Sequence, residues 1–361
     1  MIIIDAHEDL AWNTLTFGRD YRCSIEETRR LERDTDTPKH NGQSLIGWPE
    51  WIQGRVAIVF SSLFAAPSRW KEGGWDTLCY DDPQEAHRLY RASLDVYTRW
   101  VEESPDKVRL ITGTQTLEEH WAAWQDPTCQ GPVGFVLLME GADGIRKPAE
   151  VAQWFEWGVR ILSPAWAGTR YAGGTKEPGP LTDLGRELLL HMDACGMILD
   201  LSHLSEEGAR EALDHYQGPV IASHTSFLTR VPNAEFPERL LSDEMIHLIA
   251  EREGVMGLLI GNKFLQNNWV PGMDRDLVGM QDIVAAIDHI CQLLGNANHI
   301  ALGSDFDGGF GLDQIPVGLD SIADLRLIGD DLQEYGYASE DIEAIMGLNW
   351  YHLLKRSLPE E

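Results

Sequence analysis

A chain of 361 residues with 43% apolar and 24% charged residues has the composition of a folded globular protein, long enough for one large barrel or two ordinary domains. Its formal net charge of −29, from 29 Lys+Arg against 58 Asp+Glu, makes a field that excludes nucleic acid and anionic membranes as partners and favours divalent cations. Cys23, Cys79, Cys129, Cys195 and Cys291 form no C-x-x-C pair and leave one over, which points to reduced thiols in a cytoplasmic protein.

The chain opens Met1-Ile-Ile-Ile-Asp-Ala-His-Glu-Asp9. The apolar run before Asp5 is too short for a signal peptide, no later run approaches ~20 residues, and the tail carries no lipid-anchor signal, so neither export nor a membrane span is expected. Short runs rich in Val, Ile and Leu, each followed by Gly, Ser, Asp or His, read as buried parallel strands. They are Ile2–Ile4, Val56–Ser61, Gly134–Met139, Val159–Leu162, Met197–Leu201, Pro219–Ala222, Val255–Ile260 and His299–Gly303. Helical periods lie between them at Gln84–Glu103, Leu181–Cys195, Ser205–Tyr216, Ser242–Glu253 and Met280–Leu294. The gap from about 62 to 133 is too long for one crossover helix and is expected to hold two helices and a Trp- and Gly-rich excursion around Trp70–Trp75. Thr28–Asn41 is polar and reads as a surface loop, and Pro164–Pro180 as a long loop that either roofs a site or simply packs. Strands alternating with helices over this length predict an α/β fold, a (β/α)8 TIM-type barrel, as a single domain spanning 1–361.

In such barrels the functional groups sit at the carboxyl ends of the strands. There the chain places His7 and Asp9 after the first strand and Glu140 after the third. His203 follows the fifth, His224 the sixth and Asp305 the eighth. One strand ending in His is ordinarily a turn histidine, but six such residues in phase on one rim are hard to reconcile with chance. Imidazole and carboxylate suit zinc or a similar ion, and this set is too large for one tetrahedral ion yet sufficient for two. Two ions ~3.5–4 Å apart need a bridging anion, and Glu140 is placed to supply it. His7 and Asp9 would complete one ion, and His203 and His224 the other. A hydroxide held between two Zn²⁺ ions is a nucleophile at neutral pH, and Asp305 would take its proton and return it to the leaving amine. Asp200 either orients a ligand or is structural, and Asp307 starts the next turn.

The ordered set resembles the zinc-dependent metallo-dipeptidases related to membrane (renal) dipeptidase, of the amidohydrolase type. The resemblance spans nearly the whole chain. It runs through Ile4-Asp-Ala-His-Glu-Asp-Leu10, Gly54-Arg-Val56, Met139-Glu-Gly141 and Leu181-Thr-Asp-Leu-Gly-Arg-Glu187. It continues through Gly196-Met-Ile-Leu-Asp-Leu-Ser-His203, Ser223-His-Thr-Ser226, Leu302-Gly-Ser-Asp-Phe-Asp-Gly308 and Ile345-Met-Gly-Leu-Asn349. The resemblance implies two zinc ions, one on His7, Asp9 and Glu140 and one on Glu140, His203 and His224, with proton transfer by Asp305. It implies hydrolysis of dipeptides, including those with a D-residue at the carboxyl end. It also implies an arginine for the substrate carboxylate. Arg239-Leu-Leu-Ser-Asp243 fits that role best, and Arg230 is the alternative.

The chain departs from the family at one place. Where the family has Leu-Thr-His after the fourth strand, this chain has Leu162-Ser-Pro-Ala-Trp166. Trp166 offers one N–H donor and cannot accept a proton. Either Arg170 or Tyr171 substitutes for the lost histidine, or the substrate is a different small amide. A metal-binding but catalytically silent protein is a third reading, opposed by the presence of Asp305. One of the Trp-rich segments, Trp48–Trp51 or Trp70–Trp75, is expected at the interface of a homodimer.

Overall fold

The computed structural model describes residues 1–360, so the last residue of the expected 1–361 unit lies outside them. Eight strands close on one another among these residues. They are β1 (Ile3–Glu8), β2 (Val56–Phe64), β3 (Val133–Glu140), β4 (Val159–Ser163), β5 (Ile198–Asp200), β6 (Val220–Phe227), β7 (Val255–Leu258) and β8 (Ile300–Leu302). Each pairs in parallel with the next, and β8 returns to β1. Helices lie between the strands, so this is the expected (β/α)8 barrel. Buried on both faces, the strands carry near-continuous apolar runs.

The strand ends differ from expectation where the polar residues begin. β1 runs through His7 to Glu8, and β6 runs through His224 to Phe227. The ladders continue there with register shifts, pairing Glu8 with Ser61 and Thr225 with Leu258. Ladder bonds belong to the main chain and do not require apolar side chains, so an apolar run marks only the packed part of a strand.

Four helices start on hydroxyl or carboxylate caps. Thr182 accepts from Gly185 N, Ser205 from Gly208 N, Ser242 from Met245 N, and Asp82 from Gln84 N and Glu85 N. The long second gap holds the helices Pro83–Glu103 and Thr114–Trp124 and the excursion, whose ends are clipped by pairing of Ala66–Pro67 with Cys79–Tyr80. Among the described residues no helix is long and apolar enough to cross a membrane.

One expectation is corrected. Thr28–Asn41 is not a loop but carries parts of two helices, Ile25–Glu32 and Thr37–Asn41. Ser24 caps the first, with Glu26 and Glu27 in its first turn and Arg29 and Arg30 in its last, which suits the helix dipole. Its charge also turns inward. Buried Arg19 pairs with Glu32 at 2.8 Å and with Asp307 at 3.1 Å. Asp307 further accepts from Tyr21 Oη, Ser44 Oγ and Leu45 N, each at 2.8 Å. Asp307 therefore pins this segment to the rim of the barrel. Of the Trp-rich segments, Trp51 lies in the core and donates to Glu8 at 3.1 Å, while Trp70 and Trp75 line a cavity.

Inside the barrel β6, β7 and β8 approach closely. A Cβ on Gly257 would lie 1.9 Å from Ser223 O, and one on Gly303 2.0 Å from the same atom. Gly257→Ala is therefore expected to destabilise the fold by about 1–3 kcal/mol or more. Urea unfolding checks this, and an unchanged midpoint would contradict it.

Candidate active site

The six rim residues predicted from the strand ends converge. Glu140, the last residue of β3, lies at their centre. Its Oε1 is 3.0 Å from His203 Nε2 and 3.5 Å from His224 Nε2, and its Oε2 is 3.6 Å from His7 Nε2. The two histidine Nε2 atoms of His203 and His224 are 3.1 Å apart. His7 Nε2 is 3.6 Å from Asp9 Oδ1 and 3.9 Å from Asp305 Oδ1, and its ring stacks on His224 at 3.6 Å. Each carboxylate oxygen of Glu140 thus faces a different part of the cluster. His203 and Asp305 have positive φ, 68° and 59°, conformations that cost of order 1–3 kcal/mol and persist only when the surroundings enforce them.

The surroundings orient the rings. Asp200 accepts from Ser202 N and Ser223 N at 2.9 Å and from Ser223 Oγ at 2.5 Å. Ser223 Oγ has spent its proton on Asp200, so at 2.9 Å it accepts from His224 Nδ1–H, and the Nε2 lone pair is turned toward Glu140. Thr175 Oγ1 lies 2.9 Å from His203 Nδ1 and plays the same part. Ser62 Oγ donates to Asp9 Oδ1. Asp200 is thus an orienting residue, one of the two roles open to it in the sequence.

Charge in the cluster follows burial and proximity. Burial, helped by Arg239, depresses His203 to about 4. Burial and His7 likewise hold His224 well below the imidazole range. For Glu140 burial acts upward but is outweighed by the charge of His7 and by the nearby imidazoles of His203 and His224, so its carboxyl stays well below the usual range. Burial raises Asp305 well above it, His7 opposing.

The donor set fits divalent cations. Neither ring nitrogen of the fully buried His7 has a hydrogen-bond partner among the described residues. Two further imidazoles present lone pairs to one carboxylate, an arrangement that hydrogen bonds alone leave under-satisfied. Ligand atoms of His7, Glu140 and His224 lie within 4.8 Å of one another, and so do those of His7, Asp9 and Asp305.

A cavity of about 610 Å³ opens above the cluster. Arg239 lines it, 6% exposed, and its Nη1 and Nη2 have no hydrogen-bond partner among the described residues. Arg230 does not line it. Trp166 does, its ring 5.0 Å from that of Phe64 and 6.2 Å from that of His203. Arg170 and Tyr171, the expected substitutes for a histidine there, lie off the cavity. Arg170 is 3.3 Å from Asp143 and donates to Ile145 O at 2.8 Å, and Tyr171 is buried and also donates to Ile145 O. Sequence reasoning missed Lys176, whose Nζ sits over Trp70 at 4.7 Å and Trp166 at 4.9 Å. Its one signal was membership, with Thr175, of the Gly-rich loop 164–180. Asp76, Trp12 and Lys263 carried no such signal, yet they also line the cavity.

The family described as Membrane dipeptidase (Peptidase family M19) matches residues 1–357. An uncharacterized dipeptidase of Schizosaccharomyces pombe is 28% identical over 84% of this chain and 70% of its own length. Dipeptidase aclJ of Aspergillus oryzae is 25% identical over 98% of this chain and 77% of its own. Among solved structures, a metallo peptidase from Rhodobacter sphaeroides liganded with a phosphinate mimic of the dipeptide L-Ala-D-Ala superposes with a TM-score of 0.78 at 22% identity, covering 99% of each chain. Dipeptidase AC, a metallo peptidase of family M19, superposes equally well, with the same TM-score of 0.78 and 22% identity over 99% of each chain.

Ser223→Ala removes the acceptor that fixes the His224 tautomer. It is expected to weaken divalent-cation binding by roughly 10–100-fold, as loss of such supporting bonds does elsewhere. Competition against a chromophoric chelator measures this, and an unaltered affinity would count against the orienting role.

Proposed function

The chain belongs to the membrane dipeptidase family, peptidase family M19, and is a hydrolase of peptide bonds; on that premise we propose that it is a binuclear zinc enzyme cleaving dipeptides, including those with a carboxyl-terminal D-residue. The observation that carries the proposal is the position of Glu140, with one oxygen toward His203 and His224 and the other toward His7. His7, Asp9 and Glu140 would hold one cation, and Glu140, His203 and His224 the second. Bound there, the cations would supply Lewis acidity and lower the pKa of water to ~7.

The chain's own residues account for the rest. Arg239 is a buried guanidinium whose Nη1 and Nη2 have no hydrogen-bond partner among the described residues, and a fork of that shape takes a substrate's terminal carboxylate in two parallel hydrogen bonds. With the carboxylate fixed, the amide next to it is brought over the cluster. Asp305, 3.9 Å from His7 Nε2, would hold the proton of the attacking water at a carboxylate oxygen and pass it to the departing amine. Trp166 can offer its indole N–H to the substrate carbonyl but cannot exchange a proton with it. The mimic bound by the Rhodobacter sphaeroides peptidase supports a D-residue at the carboxyl end. All five cysteines are free thiols, which supports a reducing, cytoplasmic setting.

A second reading, hydrolysis of a non-dipeptide amide at the same metals, is favoured by Trp166 where the family pattern expects a histidine. A zinc-loaded chain offered L-Ala-L-Ala, L-Ala-D-Ala and small cyclic amides separates the two. The proposal expects dipeptide turnover that is lost on chelation. Asp305→Asn should lower kcat by roughly 10²–10⁴-fold, and Arg239→Met should raise KM by roughly 10–100-fold. Undiminished activity after chelation would remove the metal from the mechanism. Turnover of cyclic amides alone would favour the second reading.

A further inference from the structure

Two charged side chains in the cavity wall are buried with polar atoms that have no hydrogen-bond partner among the described residues. One is Arg239. The other is Asp76, 5% exposed, which belongs to the excursion between β2 and the helix Pro83–Glu103. Its Oδ2 accepts from Glu72 N at 3.3 Å, but its Oδ1 has no hydrogen-bond partner among the described residues. Burying a carboxylate oxygen with nothing on it is costly, and such groups persist where a partner arrives from outside the chain. The position is not that of a free loop tip. Ala66 N donates to Leu78 O at 2.9 Å, beside the paired ends of the excursion, and this clip sets where Asp76 stands.

The neighbours of Asp76 narrow what that partner is. Trp75 stacks on His40 at 4.7 Å and meets Trp12 at 6.3 Å, and all three line the cavity with Asp76. Both faces of Trp75 are taken, by His40 and by Phe17 at 5.5 Å, so a cation arriving at this wall is received by the carboxylate oxygen itself, in a charge-assisted hydrogen bond. Elsewhere in the same cavity a cation is already in place. The faces of Trp70, Trp166 and Phe236 carry Lys176 Nζ at 4.7, 4.9 and 5.7 Å. Among the described residues no lysine or arginine lies over Trp12 or Trp75, and none pairs with Asp76.

We propose that Asp76 receives the free α-ammonium group of the substrate while Arg239 receives its carboxylate, so that the cavity selects zwitterionic dipeptides and discriminates against dipeptides whose amino group is acylated. This rests on the peptidase reading above and deepens it. An acylated amine brings no positive charge to Asp76 and leaves the carboxylate as bare as before, so discrimination falls on the amino end.

The test compares a free dipeptide, L-Ala-D-Ala, with its N-acetyl derivative on the zinc-loaded full chain. The free dipeptide should be preferred in kcat/KM by roughly 10–100-fold, the worth of one charge-assisted hydrogen bond. In Asp76→Asn that preference should collapse, through a higher KM for the free dipeptide with kcat largely kept and with the N-acetyl compound unaffected. Should D76N not be recovered folded, D76E, which keeps the charge but displaces it, must reduce the same preference. Equal use of both substrates by the wild type overturns the inference alone, as does a preference untouched by the variants. Failure to hydrolyse either substrate overturns the peptidase reading and this inference with it.

Discussion

Glu140 carries a negative charge into a place where burial opposes it, with His7 the main group that holds it there and His203 and His224 on its other side. The rest of the site is arranged by that requirement. One carboxylate has two oxygens, and the barrel delivers His203 and His224 to one side and His7 to the other. They come from β1, the turn after β5, and β6. A closed parallel barrel suits such a cluster because all its strands end on one rim, so residues far apart in sequence reach a common point without any loop having to find it.

A second layer turns this convergence into usable chemistry. Imidazole binds a cation through a lone pair, so the ring must be neutral and its proton must lie on the far nitrogen. Asp200 achieves this for His224 through Ser223, and Thr175 for His203. Asp307, two residues beyond the rim group Asp305, does no such work. It is consumed by Arg19, Tyr21, Ser44 and Leu45 and holds the segment that follows the first helix against the barrel. Two aspartates of one short motif thus have unrelated tasks, which their partners rather than their type distinguish.

Above the cluster much of the cavity wall comes from segments outside the eight barrel strands. The loop 164–180 brings Trp166, Thr175 and Lys176, the excursion after β2 brings Trp70, Trp75 and Asp76, and the turn Pro237–Arg239 brings the guanidinium. Its charges differ in whether the chain itself answers them. Lys176 lies over three aromatic faces, while Arg239 Nη1 and Nη2 and Asp76 Oδ1 have no hydrogen-bond partner among the described residues. That difference separates charges that shape the wall from charges able to read a substrate.

What the sequence determined by itself was the barrel and the six residues on its rim. Strand runs and helical periods are local signals, and strand ends in a parallel barrel share one rim whatever the loops do. Local reading failed where a side chain's role depends on a distant partner. Thr28–Asn41 looked solvated because it is charged, yet Glu32 in it is paired with buried Arg19. Arg239 and Arg230 were equivalent guanidinia until the chain folded and only one faced the cavity. Asp76 was one acidic residue among 58 until the excursion buried it beside Trp75 with an oxygen unspent. Backbone periodicity is written over neighbouring residues, whereas burial and pairing are settled between segments that meet only in three dimensions.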